Sequence, residues 1–107
     1  MAVAFTMKFE GATLEQYDRV MELMGLDQGD TAPEGSVFHW VAPTDGGIVV
    51  VDVWETDDKF NAFAAEQIGP YTQQVGIPSP PTVTRYEIHN TLVSGAAANH
   101  PGSFARA

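Results

Sequence analysis

Residues 36–55 read SVFHWVAPTDGGIVVVDVWE, and this stretch decides the fold of the chain. Two segments rich in β-branched and aromatic residues, 36–42 and 48–55, flank Pro43-Thr44-Asp45-Gly46-Gly47, whose composition is typical of a hairpin turn. The second segment is almost continuously apolar, as expected of a strand with both faces covered. The stretch therefore predicts an antiparallel hairpin whose second arm is a central strand.

Two further segments alternate in the manner of strands. Val3–Phe9 has one apolar side and one mixed side, and Gly11 follows it. Residues 82–92 alternate again, after a connection that three prolines keep extended. Because successive side chains of a strand point to opposite faces, both segments are predicted as strands, the first and the last of the chain.

Helical spacing occurs twice. Leu14–Met24 carries apolar residues at helical intervals, between Thr13 as a capping residue and Gly25 as a stop. A second helix is predicted over 57–68. We expect it to pause at Gly69-Pro70, because proline is disfavoured inside a helix, and residues 71–75 could then add a short extra turn.

The resulting element order is βαββαβ. This order predicts an α+β, ferredoxin-like fold, in which a four-stranded antiparallel sheet carries both helices on one face. We assign residues 1–92 to one such domain. Residues 93–107 are small, rich in alanine and glycine and without a pattern, and we expect them to form a mobile C-terminal tail.

The predicted strands carry bulky residues on both faces. Phe38 and Trp40 alternate with valines, and Trp54 directly follows Val53. Two helices can cover one face only, and an exposed apolar patch beyond roughly 600 Å² is unusual on a soluble monomer. We therefore expect a homodimer in which two sheets pack together, with a cavity between or beside them.

Composition excludes several classes of function. The chain has 107 residues, with 14 acidic against 5 basic side chains, a formal charge of −9 and no cysteine. The negative charge argues against nucleic acid and anionic membranes as partners, and the lack of cysteine excludes disulfides and thiolate metal sites. The longest apolar run, Ile48–Val51, is far too short to span a membrane, and no leader-like segment opens the chain. We expect a cytoplasmic protein.

Two ionisable residues of the hairpin are candidates for catalysis. His39 could act as a general base, although a core histidine bonded to a backbone carbonyl is the alternative. Asp52 interrupts a run of valines on the same side as Val50 and Trp54. A buried carboxylate there would be a proton carrier, or would be neutralised by a cation such as Arg85 or by hydrogen-bond donors. An interface or edge position is the other alternative.

His89 is the third catalytic candidate. It ends the last predicted strand beside Asn90, and the two side chains should point to opposite faces. Regular alternation would place His89 with Arg85 and Glu87, as part of a pocket or as a solvated edge or dimer salt bridge.

Aromatic side chains could line a pocket for a flat ring system. Trp54 is one expected ligand contact, and Tyr71 is another, because the break at Gly69-Pro70 would present it at the mouth of a cavity. No phosphate-binding glycine loop, metal-binding histidine pair, nucleophile elbow or dinucleotide fingerprint is present, so no metal or nucleotide cofactor is indicated. The remaining substrate-binding candidates are Trp40, Phe60 and Tyr86.

The chain resembles the antibiotic biosynthesis monooxygenase-like superfamily of small dimeric α+β barrel proteins over about residues 1–92. The resemblance implies the fold more strongly than a reaction, since the superfamily includes cofactor-independent monooxygenases, polyketide cyclases and haem-degrading enzymes. The motifs that carry it are Phe38-His39-Trp40, Asp45-Gly46-Gly47, Val51-Asp52-Val53-Trp54-Glu55-Thr56, Phe60-x-x-Phe63, Gly69-Pro70 and Ile88-His89-Asn90.

The sequence also departs from this family. In its quinone-forming monooxygenases, an asparagine precedes a pocket tryptophan by four residues and a tyrosine follows it by six. Trp54 matches that tryptophan, but Val50 and Phe60 occupy the other two positions. In the haem-degrading branch, a histidine on the second helix binds the iron, and the helix predicted here over 57–68 has none, so haem binding is not expected.

These observations predict a cofactor-free enzyme of secondary metabolism that acts on an aromatic or polyketide-like molecule, by cyclisation, isomerisation or oxygenation. His39 or Asp52 would be the base, His89 or Tyr71 would donate a hydrogen bond to a developing oxyanion, and Trp54 would stack on the ligand. Two alternatives remain open: a non-catalytic or stress-related dimer that binds a hydrophobic ligand, and a purely structural dimer.

Overall fold

The computed structural model describes residues 2–27 and 31–92. The tail predicted at 93–107 lies outside these described residues. The elements are β1 (Val3–Glu10), α1 (Leu14–Met24), β2 (Ser36–Thr44), β3 (Gly47–Trp54), α2 (Asp57–Phe63), a π-helical segment (Ala64–Ile68), α3 (Gly69–Gln74) and β4 (Thr82–Glu87). No helix of the described ranges has the length and apolar character needed to cross a bilayer.

The four strands form one antiparallel sheet in the order β2-β3-β1-β4. This is the predicted α+β, ferredoxin-like arrangement, and the structure confirms it. In the β2–β3 hairpin, Thr44 pairs with Gly47, so Asp45 and Gly46 alone connect the strands. A Cβ atom on Gly47 would lie 2.0 Å from the carbonyl oxygen of Phe9, so this position of the sheet requires glycine.

The hydrophobic core lies between one face of the sheet and the helices. Every second residue of β1 and β3 points to this inner face, because the two central strands are paired in register. Helix α1 contributes Tyr17 to this core, and helix α2 contributes Phe60 and Phe63. The buried apolar residues of the inner face are Val3, Phe5, Met7, Phe9, Ile48, Val50 and Trp54.

The second helix does not pause at Gly69-Pro70, and that prediction is wrong. Gly69 has helical dihedrals, φ −57° and ψ −58°, and its N–H donates to the carbonyl of Ala64, five residues earlier. Pro70 lies at the start of α3, where a missing backbone N–H is tolerated. The wider π turn therefore carries the helical chain past the proline.

The last strand is shorter than the predicted 82–92, because its partner ends. Glu87 pairs with Val3, the first residue of β1, and β4 stops there. One further bond follows, from the Ile88 N–H to the Ala2 carbonyl. His89 and Asn90 thus lie beyond the strand, and the alternation argued for them does not apply.

The opposite face of the sheet, which we call the outer face, bears no helix in the described part of the chain. Phe38, Trp40 and Tyr86 are 40%, 44% and 56% exposed there. An irregularity in the pairing between Ser36 and Phe38 sets this side for the rest of β2. By register, the outer face includes Ala4, Thr6, Lys8, Phe38, Trp40, Ala42, Val49, Val51, Val53, Thr82, Thr84 and Tyr86.

Candidate functional site

Asp52 is a buried charged residue on a central strand. It is 4% exposed and faces the helices, between Phe5 of β1 and His39 of β2. Oδ1 lies 2.5 Å from His39 Nδ1, and Oδ2 accepts a hydrogen bond of 3.1 Å from the Trp54 indole N–H. The carboxylate is therefore neither an edge group nor paired with Arg85, and two hydrogen-bond donors offset its loss of water.

His39 connects this buried carboxylate to the surface. It lies on the edge strand β2, and its side chain is 34% exposed. Nδ1 meets Asp52, and Nε2 makes a very short hydrogen bond with the Tyr17 hydroxyl. Both ring nitrogens thus meet side chains, which differs from the alternative of a core histidine bonded to a backbone carbonyl.

Tyr17 is a member of the site that the sequence analysis did not identify as functional. It lies on α1, half-buried against the core, and its ring stacks on the imidazole of His39 with 5.8 Å between centroids and 11° between planes. The helix is fixed by a capping box, in which Thr13 and Gln16 bond each other's backbone N–H. Its spacing fits an apolar helix stripe, so the sequence alone offers no sign that its hydroxyl meets a histidine.

Together these residues form a polar chain, which we define as Tyr17, His39, Asp52 and Trp54. An ionised carboxylate can only accept, so Nδ1 of His39 carries the proton on that side. In the neutral imidazole, Nε2 then accepts from the Tyr17 hydroxyl. The arrangement fixes the tautomer of the histidine, and it can take up a proton at Nε2 while the adjacent carboxylate stabilises the resulting charge.

Trp54 forms the inner end of the polar chain. It is 1% exposed, and its ring contacts Phe60 edge-on at 5.9 Å and Phe63 at 5.2 Å between centroids. Phe60 is also buried and stacks on Phe5 at 3.7 Å. A ligand that stacks on Trp54 must therefore displace one of these rings.

The other predicted ligand contacts do not share one surface. Trp40 and Tyr86 lie on the outer face, whereas Trp54 and Phe60 belong to the inner one. Tyr71 is half-buried within α3, not at a helix break. The structure thus brings together His39, Asp52 and Trp54, and it places the other predicted aromatic contacts on different surfaces.

Arg85 has a different partner from those predicted. Its guanidinium forms two hydrogen bonds with the Asp57 carboxylate, at 2.6 and 2.9 Å, and so ties β4 to the start of α2. The same contact lowers the pKa of Asp57 below its ordinary value of 3.8. His89 lies exposed after β4, so the predicted trio with Arg85 and Glu87 is not a unit of one strand.

Comparison with known proteins supports the fold. No protein-family model and no curated protein matches the chain. SnoaB, a cofactor-independent oxygenase from Streptomyces nogalater, superimposes with a TM-score of 0.58 at 20% identity, over 87% of this chain and 98% of that one. A monooxygenase from the gene ActVA-Orf6 of Streptomyces coelicolor, in complex with Nanaomycin D, gives 0.55 at 15%, over 87% and 91%.

A third similar structure is a dimeric ferredoxin-like protein of unknown function from Jannaschia sp. CCS1. It gives a TM-score of 0.53 at 15% identity, over 82% of this chain and all of that one. Identities this low show the fold alone. The chain therefore has the fold of the dimeric α+β barrel structures, which include cofactor-independent oxygenases as well as proteins of unknown function.

Proposed function

We propose that this protein is a cofactor-free enzyme that moves a proton on a flat aromatic or polyketide-like small molecule. The observation that carries the proposal is the 2.5 Å contact between His39 Nδ1 and the buried carboxylate of Asp52. A buried carboxylate that holds a histidine in one tautomer leaves the lone pair of Nε2 as the site that accepts a proton. His39 is the internal base in this proposal, and Asp52 positions and stabilises it.

Proton transfer is favoured over oxygenation by the residues around Trp54. Val50 is 4% exposed and Phe60 is 5% exposed, and both are apolar. Neither side chain can donate a hydrogen bond to a phenolate or peroxide intermediate. Cyclisation or isomerisation requires only a base and an acid, which the polar chain supplies.

The substrate is proposed to approach the polar chain from the β2 edge. His39 is partly exposed there, whereas Trp54, at the other end of the polar chain, is buried. Among the proteins of similar fold, the Streptomyces coelicolor monooxygenase was determined in complex with Nanaomycin D, and this supports a small-molecule ligand here.

We further propose that the enzyme is a homodimer closed through the outer face. Phe38, Trp40 and Tyr86 leave a large apolar surface there, and a second sheet would bury it. The Jannaschia protein of similar fold is dimeric, which supports a dimer here. The cytoplasmic location stays a prediction.

Nitrobenzisoxazole tests the proposed function, because it is a flat aromatic carbon acid. Removal of its ring C–H proton forms a nitrile, breaks the N–O bond and releases a coloured phenolate. We expect the wild type to accelerate this reaction above buffer, and His39→Gln to lower kcat by about 100-fold, within the range typical of a general base. Asp52→Asn should also lower kcat.

Asp45→Asn is the matched control, since it makes the same carboxylate-to-amide change in the exposed hairpin turn. It should keep the wild-type rate. Equal rates in the wild type and in His39→Gln would contradict the proposal. Binding of the probe without any acceleration would instead support a non-catalytic ligand-binding dimer.

A further inference from the structure

We propose that Trp54 is a positioning residue, which orients His39 by fixing the carboxylate of Asp52 that lies between them. This role rests on the proposed function, in which His39 is the base, and it adds the group that holds the carboxylate in place. It differs from the ligand contact that the sequence predicts for Trp54. The indole acts here without touching the substrate.

The two oxygens of the Asp52 carboxylate have separate donors. Oδ1 lies 2.5 Å from His39 Nδ1, and Oδ2 accepts a hydrogen bond of 3.1 Å from the indole N–H of Trp54. The torsion that turns a carboxylate about its Cβ–Cγ bond has a broad energy profile, so a donor on one oxygen alone leaves this rotation soft. A second donor on the other oxygen restricts it. The indole therefore sets the direction in which Oδ1 points, and with it the direction of the imidazole.

Trp54 is itself held firmly. It is 1% exposed and follows Asp52 by two residues along β3, so both side chains lie on the inner face of the sheet. Its ring contacts Phe60 and Phe63, with 5.9 Å and 5.2 Å between centroids. Because these contacts fix the plane of the indole, they also fix the direction of its N–H bond.

The indole N–H suits this position because it can only donate a hydrogen bond. A hydroxyl or an imidazole there could also turn a lone pair toward the carboxylate. In the described part of the chain, every buried side-chain nitrogen and oxygen has a hydrogen-bond partner. Without the indole N–H, the carboxylate of Asp52 would rotate to share its remaining donor between two oxygens, and the imidazole of His39 would lose its single orientation.

Two changes at residue 54 remove the N–H. Trp54→Phe also shortens the side chain, whereas replacement of Trp54 by benzothienylalanine keeps the two-ring shape, since sulfur takes the place of the nitrogen. With nitrobenzisoxazole as the probe, we expect either change to lower kcat by about 10-fold, less than His39→Gln does, because the base is present but less well oriented. KM should change little, since Trp54 does not touch the substrate.

Phe63→Leu is the matched packing control. It removes a ring that contacts Trp54 and leaves the indole N–H in place. We expect it to lower the melting temperature and to keep the wild-type kcat. Nitrogen-15 NMR of the neutral His39 side chain gives a readout that does not depend on turnover. The wild type and Phe63→Leu should carry the proton on Nδ1 alone, and the benzothienylalanine variant should show a mixture of the two tautomers.

A benzothienylalanine variant with the wild-type kcat and a single His39 tautomer would overturn this role, and the proposed function would stand if His39→Gln loses the rate. A rise in KM at unchanged kcat would also overturn it, because Trp54 would then be a ligand contact. Equal rates in the wild type and in His39→Gln would overturn the proposed function itself. The tautomer measurement would still decide whether Trp54 orients the histidine.

Discussion

At the scale of single residues, the buried carboxylate of Asp52 is the feature that most needs an account. A desolvated charge is tolerated only when donors replace its water, and His39 and Trp54 provide those donors from two sides. The same contacts hold the imidazole in one orientation. The interaction that makes the charge tolerable therefore also prepares the histidine for proton transfer.

Asp52→Asn should destabilise the protein even though it removes a buried charge. The amide has one acceptor oxygen, so one of the two N–H donors would face an amide NH₂ group and lose its partner. We expect a loss of about 1–3 kcal/mol in the free energy of unfolding, the usual cost of an unsatisfied buried polar group. Urea denaturation measures it.

The exposed variant Asp45→Asn provides the comparison, with a change within about 0.5 kcal/mol. Equal stability of the two variants would show that the carboxylate of Asp52 does not hold both donors.

Single residues were also where prediction from sequence was most uneven. Asp52 stood out because it breaks a run of valines, and period-2 alternation placed it on the same face as Trp54. Tyr17 gave no comparable signal, since its position on α1 suits an apolar stripe. Which helix residue faces which strand residue depends on how the layers pack, and no local pattern encodes that.

At the scale of elements, the start of β3 packs very tightly against the end of β1. Gly47 lies against the carbonyl of Phe9, and a Cβ atom there would approach the oxygen to 2.0 Å. Gly47→Ala should push β1 and β3 apart at this end and cost about 1–3 kcal/mol, as overpacking does. Thermal unfolding followed by circular dichroism would measure it.

Gly46→Ala is the matched control for that prediction. Its Cβ would meet only the flexible end of Glu10, at 3.0 Å, and this side chain can move aside. A Gly47→Ala variant as stable as Gly46→Ala would contradict the close approach of the two strands.

The contact between Arg85 and Asp57 makes the attachment of α2 to β4 pH-dependent. Because the pKa of Asp57 is lowered in the folded state, its contribution is fully present above the ordinary value of 3.8 and is lost as the pH falls through the lowered pKa. Arg85→Gln should therefore lower the free energy of unfolding near neutral pH, and the difference from the wild type should shrink below about pH 3.8.

Arg19→Gln removes the same charge from a surface pair with Glu22, and it is the control in urea denaturation across this pH range. It should cost less than Arg85→Gln near neutral pH. A difference between Arg85→Gln and the wild type that persists unchanged in acid would exclude this carboxylate as its source.

Elements were predicted well where the signal was local. Helix α1 begins at the capping box of Thr13 and Gln16 and ends at the αL glycine Gly25, as the sequence indicates. The two errors arose from context: a π turn accommodates Pro70, and β4 ends because β1 ends. Neither a change in helix type nor the loss of a pairing partner is visible in the segment concerned.

At the scale of the whole molecule, the two faces of the sheet differ in kind. The inner face is closed by helices and contains the polar chain, whereas the outer face presents half-exposed aromatic rings. Alternation in the strands predicted that both faces of the sheet would be apolar. It thereby supported the predicted fold and the expectation that a partner covers the second face. Alternation could not predict that Trp40 and Trp54 would lie on opposite faces of the same hairpin in relation to the helices.

Trp40→Glu tests the proposed homodimer. A glutamate from each copy would be buried in the proposed interface in a protein of charge −9, so we expect the variant to sediment as one chain of 11.5 kDa. The wild type should sediment at twice that mass at micromolar concentration. Leu14→Glu, which places the same charge at a residue that is 41% exposed on α1, should remain dimeric.

A wild type that sediments as a single chain at micromolar concentration would contradict the homodimer. The polar chain lies on the other face of the sheet, so this result would not bear on its hydrogen bonds.

The central claim is that one polar chain joins α1, β2 and β3 and holds His39 ready to accept a proton at Nε2. Nitrogen-15 NMR of the imidazole side chain tests this most directly, because it shows which ring nitrogen carries hydrogen. The account predicts that, in the neutral imidazole, Nδ1 is protonated and Nε2 is a hydrogen-bond acceptor, and that Asp52→Asn disturbs this state. A neutral His39 ring that carries its proton at Nε2 would contradict it.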